Sequence, residues 1–205
     1  AAKVSAAGIF RNSGQVCIAG SRILVERSVH EEFAAMLAEE ARAMKIGNPL
    51  RLDTQAGAIA SEAQLARVQH FVERAHAEGG ALRAGGERIL TETGGSYFAP
   101  TVFDNVTPEM TLAREEVFGP VVAITPFDSE EDAIRMANGT DYGLASAVWT
   151  GDLSRAQHIA QGAFRMLVDI LSKDFRLPHF GFGEAQLVQD IIRIPGAGEL
   201  GQLSA

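Results

Sequence analysis

The chain has 205 residues, 46% hydrophobic and 21% charged, with a formal net charge of −8 and a pI near 5.1. This is enough apolar content to bury the core of one domain with an appendage. The acidic balance argues against nucleic acid or an anionic membrane as partner, since both need a basic footprint. No apolar run reaches the roughly 20 residues of a spanning helix. The opening Ala1-Ala2-Lys3-Val4-Ser5 carries no secretory signal, and a single cysteine closes no internal disulfide. The expectation is a cytoplasmic protein.

In chain order, residues 1–13 read as a helix with a loose apolar face of Val4, Ala7, Ile9 and Phe10. It begins inside an element and without Met, as part of something longer would. Residues 22–26 read as a strand, and Ser28 with Glu31 forms a capping-box pattern. The helix opened there carries Phe33, Met36, Leu37, Ala41 and Met44 on one face, and is expected to stop at Gly47-Asn48-Pro49. A second box, Ser61 with Gln64, opens a helix that buries Leu65, Val68, Val72 and Ala75 and ends at Gly79-Gly80. A short strand follows at 81–83. Residues 97–106 are extended but interrupted by Pro100, which predicts an edge strand or crossing segment. Residues 121–124 form a β-branched run suited to a buried parallel strand. Ser129 and Asp152 cap two further helices, with a strand at 144–150 between them and a last core strand at 165–170. Periodicity weakens from Lys173 onward, where 186–194 could be an extended tail. The alternation predicts an α/β fold of three αβα layers with a mainly parallel sheet. It divides into a domain of residues 1–172 and a C-terminal segment of 173–205.

Three features could carry chemistry. Cys17 follows Gly14-Gln15 at a helix-to-strand junction, where a thiol can face a cleft and main-chain N–H groups can stabilise an oxyanion. On residues alone, a lone cysteine is more often a small buried hydrophobe. The run Glu115-Glu116-Val117-Phe118-Gly119-Pro120 offers carboxylates for ribose hydroxyls or acid–base work and an aromatic wall for a flat ring. It is equally the pattern of an acidic helix end before a Gly-Pro turn. The histidines lie at 30, 70, 76, 158 and 179, without ligand spacing or a Cys partner set, so no metal site is expected. No Gly-x-Gly-x-x-Gly or phosphate loop is present.

The stretch from Phe10 to Arg22, Phe-Arg-Asn-Ser-Gly-Gln-Val-Cys-Ile-Ala-Gly-Ser-Arg, resembles the cysteine active-site signature of aldehyde dehydrogenases. Glu115 to Pro120 resembles that family's Glu-Glu-x-Phe-Gly-Pro motif. Between and beyond them Ile46-Gly47-Asn48-Pro49, the Ser61 helix start, Tyr97-Phe98-Ala99-Pro100-Thr101-Val102 and the 137–144 stretch match in order, so the likeness runs to about Val168. It implies that Cys17 is the thiolate that attacks a small aldehyde as a thiohemiacetal, with its own N–H as half of an oxyanion hole. Hydride would pass to NAD or NADP, and water would hydrolyse the thioester. Glu116 would hold the nicotinamide-side ribose, Phe118 would pack beside it, and Gln64 would lie on the cofactor-facing helix. The family's Glu-Leu-Gly-Gly-Lys base segment, an oxyanion-hole Asn and the nucleotide-binding domain would all precede Ala1. The family's C-terminal Pro-Phe-Gly-Gly loop matches residues 178–189 in length but in few residues. The resulting expectation is an aldehyde dehydrogenase catalytic portion not competent alone. The alternative is a non-catalytic binding or assembly module pairing with itself or a full-length relative. In either case a homo-oligomer is expected, with residues 186–194 as its pairing strand.

Overall fold

The computed structural model describes residues 1–163, 167–172, 175–176 and 188–192. Helix α1 (Ala2–Phe10) continues into a 3₁₀ turn (Arg11–Gly14), and a loop leads to strand β1 (Gly20–Glu26). Then come α2 (His30–Ala43), α3 (Glu62–Ala77), β2 (Ala81–Ala84), β3 (Thr101–Asp104) and α4 (Thr111–Arg114). Strand β4 (Val121–Phe127), α5 (Glu130–Ala137), β5 (Ala145–Trp149) and α6 (Leu153–Gly162) follow, with β6 (Leu167–Ser172), β7 (Phe175–Arg176) and β8 (Val188–Ile192) last. The strands form one sheet in the order β2-β3-β4-β1-β8-β5-β6-β7. Only its two outermost pairs, β2–β3 and β6–β7, are antiparallel, so the expected mainly parallel α/β sheet is what forms.

Strand alternation sorts the core onto two faces. On one face Ile23 and Val25 of β1 and Val122 and Ile124 of β4 pack under α1 and α2, against Ile9, Phe10, Phe33 and Leu37. On the other, Phe103, Val121 and Ala123 pack under α3 and α4. Leu24, Phe127 and Val148 pack there under α5 and α6. Helices therefore cover both faces, giving the three layers. Each fully buried Ile, Leu or Phe contributes about 1.5–3 kcal/mol. The unbroken Val121-Val122-Ala123-Ile124 run is buried because both of its faces are covered.

The helix-start signals held in three places and failed in one. Ser61 accepts from the Gln64 N–H, Ser129 from Asp132, and Asp152 from Ser154 and Arg155. Helix α3 closes as expected: Gly79 turns left-handed at φ 94°, its N–H reaching His76 O and that of Gly80 reaching Ala75 O. The Ser28–Glu31 box does not form. A 3₁₀ turn at Arg27–Val29 moves the helix start to His30, the Ser28 hydroxyl turns to Glu26, and Glu31 is taken by Arg83. Helix α2 also stops at Ala43, ahead of the Gly-Asn-Pro signal, because Met44 is already extended.

Three strand expectations are corrected. The 97–106 segment contributes β3, an interior strand between β2 and β4 whose four residues are all buried. Pro100 precedes its first ladder residue, so no ladder hydrogen bond is lost, and β2 takes the edge instead. The strand expected at 165–170 runs from Leu167 to Ser172; positions 165–166 lie outside the described residues. The 186–194 segment was expected to pair outside the chain. Its described part, β8, instead lies between β1 and β5 of the chain's own sheet, parallel to both.

At the β2–β3 edge four polar side chains lock α2 to the sheet. Buried Asp104 meets His30 Nε2 at 2.6 Å and accepts from Arg83 Nε at 2.9 Å. Arg83 also forks onto Glu31 at 2.9 and 2.6 Å. Donor atoms of His30, Glu31 and Asp104 lie within 4.8 Å of one another, close enough for a cation, but the Arg83 guanidinium already bridges the two carboxylates. No described helix is long and apolar enough to cross a membrane.

Candidate active site

Cys17 owes its position to a strained turn. After Phe10 the chain cannot continue as a helix, because Asn12 and Ser13 both adopt φ 54° and Gly14 φ 69°. Asn tolerates that region, but Ser does so at a cost of order 1–3 kcal/mol. The turn is held by its polar side chains. Asn12 Nδ2 donates to Gln15 O at 2.9 Å, Ser13 Oγ to Gly57 O at 2.7 Å, and the Ala60 N–H to Gln15 Oε1 at 2.9 Å. A second turn, closed by Ala19 N–H on Val16 O at 3.0 Å, then carries Cys17 and Ile18 at its tip. Both are exposed, so the bland reading of a small buried hydrophobe does not apply here.

The acidic–aromatic loop lies between α4 and β4. Glu115 is exposed, Glu116 half-buried, Val117 buried in the core beneath α3, and Phe118 38% exposed. Burial pushes the Glu116 carboxyl above the ordinary carboxylate range, while the Arg67 charge pulls it back. Phe118 is left-handed at φ 54°, a conformation a bulky residue keeps only when its surroundings enforce it.

Those surroundings are mostly α3. Gln64 Nε2 donates to Val117 O at 3.0 Å and to Phe118 O at 2.9 Å. Arg67, whose guanidinium lies 4.9 Å over the Phe71 ring, donates to Glu116 O at 2.8 Å. Arg67 thus meets the main-chain carbonyl and leaves the Glu116 carboxylate open.

The two motifs, about a hundred residues apart in sequence, meet through two glycines. A Cβ at Gly14 would collide with the carbonyl oxygen of Gly119, and one at Gly119 would collide with Val68 of α3. Gly14 admits no side chain, because main chain blocks it and it also needs its positive φ, while one at Gly119 would displace the buried Val68. Of the residues singled out from sequence, Gln64 is bonded directly to the Phe118 loop, and Cys17 sits three residues beyond the Gly14 contact. Sequence reasoning missed Arg67, Ser13 and Gln15. Arg67 had a findable signal, since it stands three residues from Gln64 and shares its helix face. A cavity of about 770 Å³ lies elsewhere, lined by Lys45, Asn48, Glu87 and Ile89 among others, and includes none of these residues.

An open, mainly parallel sheet with helices on both faces, a cysteine turn and an acidic–aromatic loop locked together defines an α/β domain of an enzyme-like kind. Residues 1–171 match the aldehyde dehydrogenase family, and the chain belongs to that family. It is 49% identical over 152 residues to betaine aldehyde dehydrogenase of Cereibacter sphaeroides, covering 74% of this chain and 31% of that protein. It is 44% identical over 161 residues to the NADP/NAD-dependent aldehyde dehydrogenase PuuC of Escherichia coli, covering 78% and 32%. Among solved structures, an indole-3-acetaldehyde dehydrogenase complexed with NAD+ superposes with TM-score 0.81 at 44% identity, over 85% of this chain and 35% of that one. The aldehyde dehydrogenase KauB from Pseudomonas aeruginosa gives 0.80 at 45% identity, with the same coverage. The chain thus spans about a third of the length of the relatives it matches.

Proposed function

We propose that this chain supplies the thiol and the nicotinamide-side surface of an NAD(P)-dependent aldehyde dehydrogenase active site, with Cys17 as nucleophile. The observation that carries the reading is the seating of Gly14 on Gly119, which sets the cysteine turn against the Glu116–Phe118 loop. In the addition step the Cys17 thiolate forms a bond to the aldehyde carbon, the carbonyl π pair moves to oxygen, and the Cys17 N–H donates to that oxygen. The surface fits a ribosylated flat ring: Glu116 offers a half-buried carboxylate acceptor for ribose hydroxyls, and the exposed ring of Phe118 packs beside it. A bound nicotinamide dinucleotide supplies the hydride acceptor. Gln64 belongs to the same surface. These residues alone hold the cofactor weakly, because a single carboxylate and ring fall short of the cost of association. The aldehyde is small, the setting cytoplasmic, and self-association covers exposed apolar side chains outside the site such as Val4 and Leu153.

Alkylation of Cys17 by iodoacetamide tests the reading. Reaction near neutral pH faster than that of a simple thiol, slowed by a short aliphatic aldehyde, supports the nucleophile. A thiol that stays inert, or that no aldehyde protects, removes it and leaves a non-catalytic assembly module.

A further inference from the structure

The segment from α4 to Gly119 is bolted to α3 at both of its ends. At the start, Glu78, the C-terminal capping residue of α3, accepts from the Thr111 N–H at 2.7 Å and from its hydroxyl at 2.6 Å. Arg74 orients Glu78 from one turn earlier, at 2.8 Å. At the far end Gln64 and Arg67 hold the carbonyls of three consecutive residues, 116, 117 and 118. Val68 fills the space above Gly119. Four successive residues of the loop therefore read one face of one helix, and the last of them carries the Gly14 turn on its carbonyl.

We propose that α3 is the template of the site, with Gln64 and Arg67 as positioning residues that hold Phe118 left-handed and, through Gly119 and Gly14, set the Cys17 turn. Gln64 spends both amide hydrogens on the protein's own main chain, so its contribution to the site is made through the loop. Arg67 has two effects through one contact: its N–H anchors the Glu116 carbonyl, and it is the charged side chain α3 sets against the Glu116 carboxyl, whose chain neighbour Glu115 is exposed. The proposal rests on the assignment of Cys17 and Glu116 given above, but its main readouts do not depend on it.

The test uses the whole 205-residue chain and the variants Gln64→Ala, Arg67→Met and Arg67→Lys. Amide exchange is followed at Val121, which donates to Gly119 O, and at Thr101, which donates to Pro120 O, with Leu37 in α2 as a distant reference. In Gln64→Ala, exchange at Val121 and Thr101 quickens about tenfold or more, as expected for two lost hydrogen bonds, while Leu37 is unchanged. In Arg67→Met the carboxyl carbon signal of Glu116 titrates at higher pH, and Arg67→Lys restores it, which a purely structural role would not do. Unchanged exchange at Val121 overturns the template, as does acceleration spread equally to Leu37. A Glu116 titration indifferent to Arg67→Met removes Arg67 from it even if Gln64→Ala fails to fold. Cys17 alkylation that is fast in the parent and unaltered in Gln64→Ala overturns the link to the thiol. A Cys17 inert in the parent sinks the nucleophile assignment while leaving the exchange result to decide the template.

Discussion

The Cys17–Gly119 region and the Asp104 node at the β2–β3 edge use polar groups in contrasting ways. At the node charge meets charge: Asp104, with no solvent exposure, is paired with His30 and Arg83. Its two carboxylate partners hold the Arg83 guanidinium protonated more firmly than usual. Its one left-handed residue is Asn105, a type that tolerates it, with its N–H on the Asp104 carboxylate at 2.6 Å. At the cysteine region amides, a hydroxyl and the Arg67 guanidinium donate to main-chain carbonyls rather than to carboxylates, and the strain falls on Ser13 and Phe118, types that do not tolerate it easily. The node stabilises two elements against each other. The site spends stability to keep two loops in conformations they would not choose, the pattern expected where geometry rather than stability is selected.

The sharpest way to break that contrast is Gly14→Ala. The new Cβ meets the Gly119 main chain, which cannot swing aside as a side chain could, and φ 69° is unfavourable for alanine. A loss of about 3–5 kcal/mol in urea-induced unfolding is expected, with an altered Cys17 alkylation rate in whatever fraction stays folded. Stability and thiol reactivity both at parent values would mean the glycine contact is incidental.

Asp104→Asn should come next and separate the two regions. It leaves Arg83 and His30 without their buried anion, which is expected to cost about 3 kcal/mol or more. Because the node touches neither loop, Cys17 alkylation in the folded protein should not change. A change in both would show that the two regions are coupled.

Much of this contrast was legible in the sequence, for uneven reasons. Ser61, Ser129 and Asp152 announced their helices because a cap is a local interaction. Cys17, Glu116 and Phe118 were singled out by their residue types and by motif resemblance, whereas the close approach of Gly14 to Gly119 was not, since glycines carry no sign of what approaches them. Ser28 misled because a long-range partner, Arg83, outbid the local box for Glu31. The interior position of β3 was hidden by Pro100, which reads as an edge signal unless its place one residue ahead of the ladder is known. The placement of β8 between β1 and β5 had no local signal at all.

A smaller effect tests whether charge at the sheet is as well spent as at the node. Arg22 of β1 is 4% exposed. It donates through Nη2 to Met136 O at 2.9 Å, while its Nη1 has no partner among the described residues. Burial lowers its pKa to about 10, the mark of a charge that is desolvated and poorly compensated. Arg22→Met is therefore expected to change stability by no more than about 1 kcal/mol, in either direction, because an uncompensated buried ion exchanged for an apolar chain often breaks even. A loss as large as that of Asp104→Asn would mean Arg22 belongs to a charge network like the node.

The smallest effect is the most diagnostic of the site, because its sign depends on pH. Burial raises the Glu116 carboxyl above its unfolded value, with Arg67 opposing. For an acid raised in this way the folded state binds the proton more tightly than the unfolded one. The associated stability is fully present below the ordinary carboxylate range and is lost as pH climbs through the raised folded value. Glu116→Gln is neutral throughout, so it escapes that loss. It should match the parent at acidic pH and become slightly more stable than the parent toward neutrality, by an amount kept small because the carboxyl is only partly buried and solvent screens it. Denaturant midpoints of the two proteins, measured from about pH 3.5 to pH 7 so as to bracket the ordinary Glu value, should diverge in that direction. Nicotinamide mononucleotide, added as a probe, should recover part of the difference for the parent alone, since only the parent offers a carboxylate to the ribose. If Glu116→Gln is instead the less stable protein at neutral pH, the carboxylate is a structural partner of its surroundings, and the site region stabilises itself by charge just as the node does.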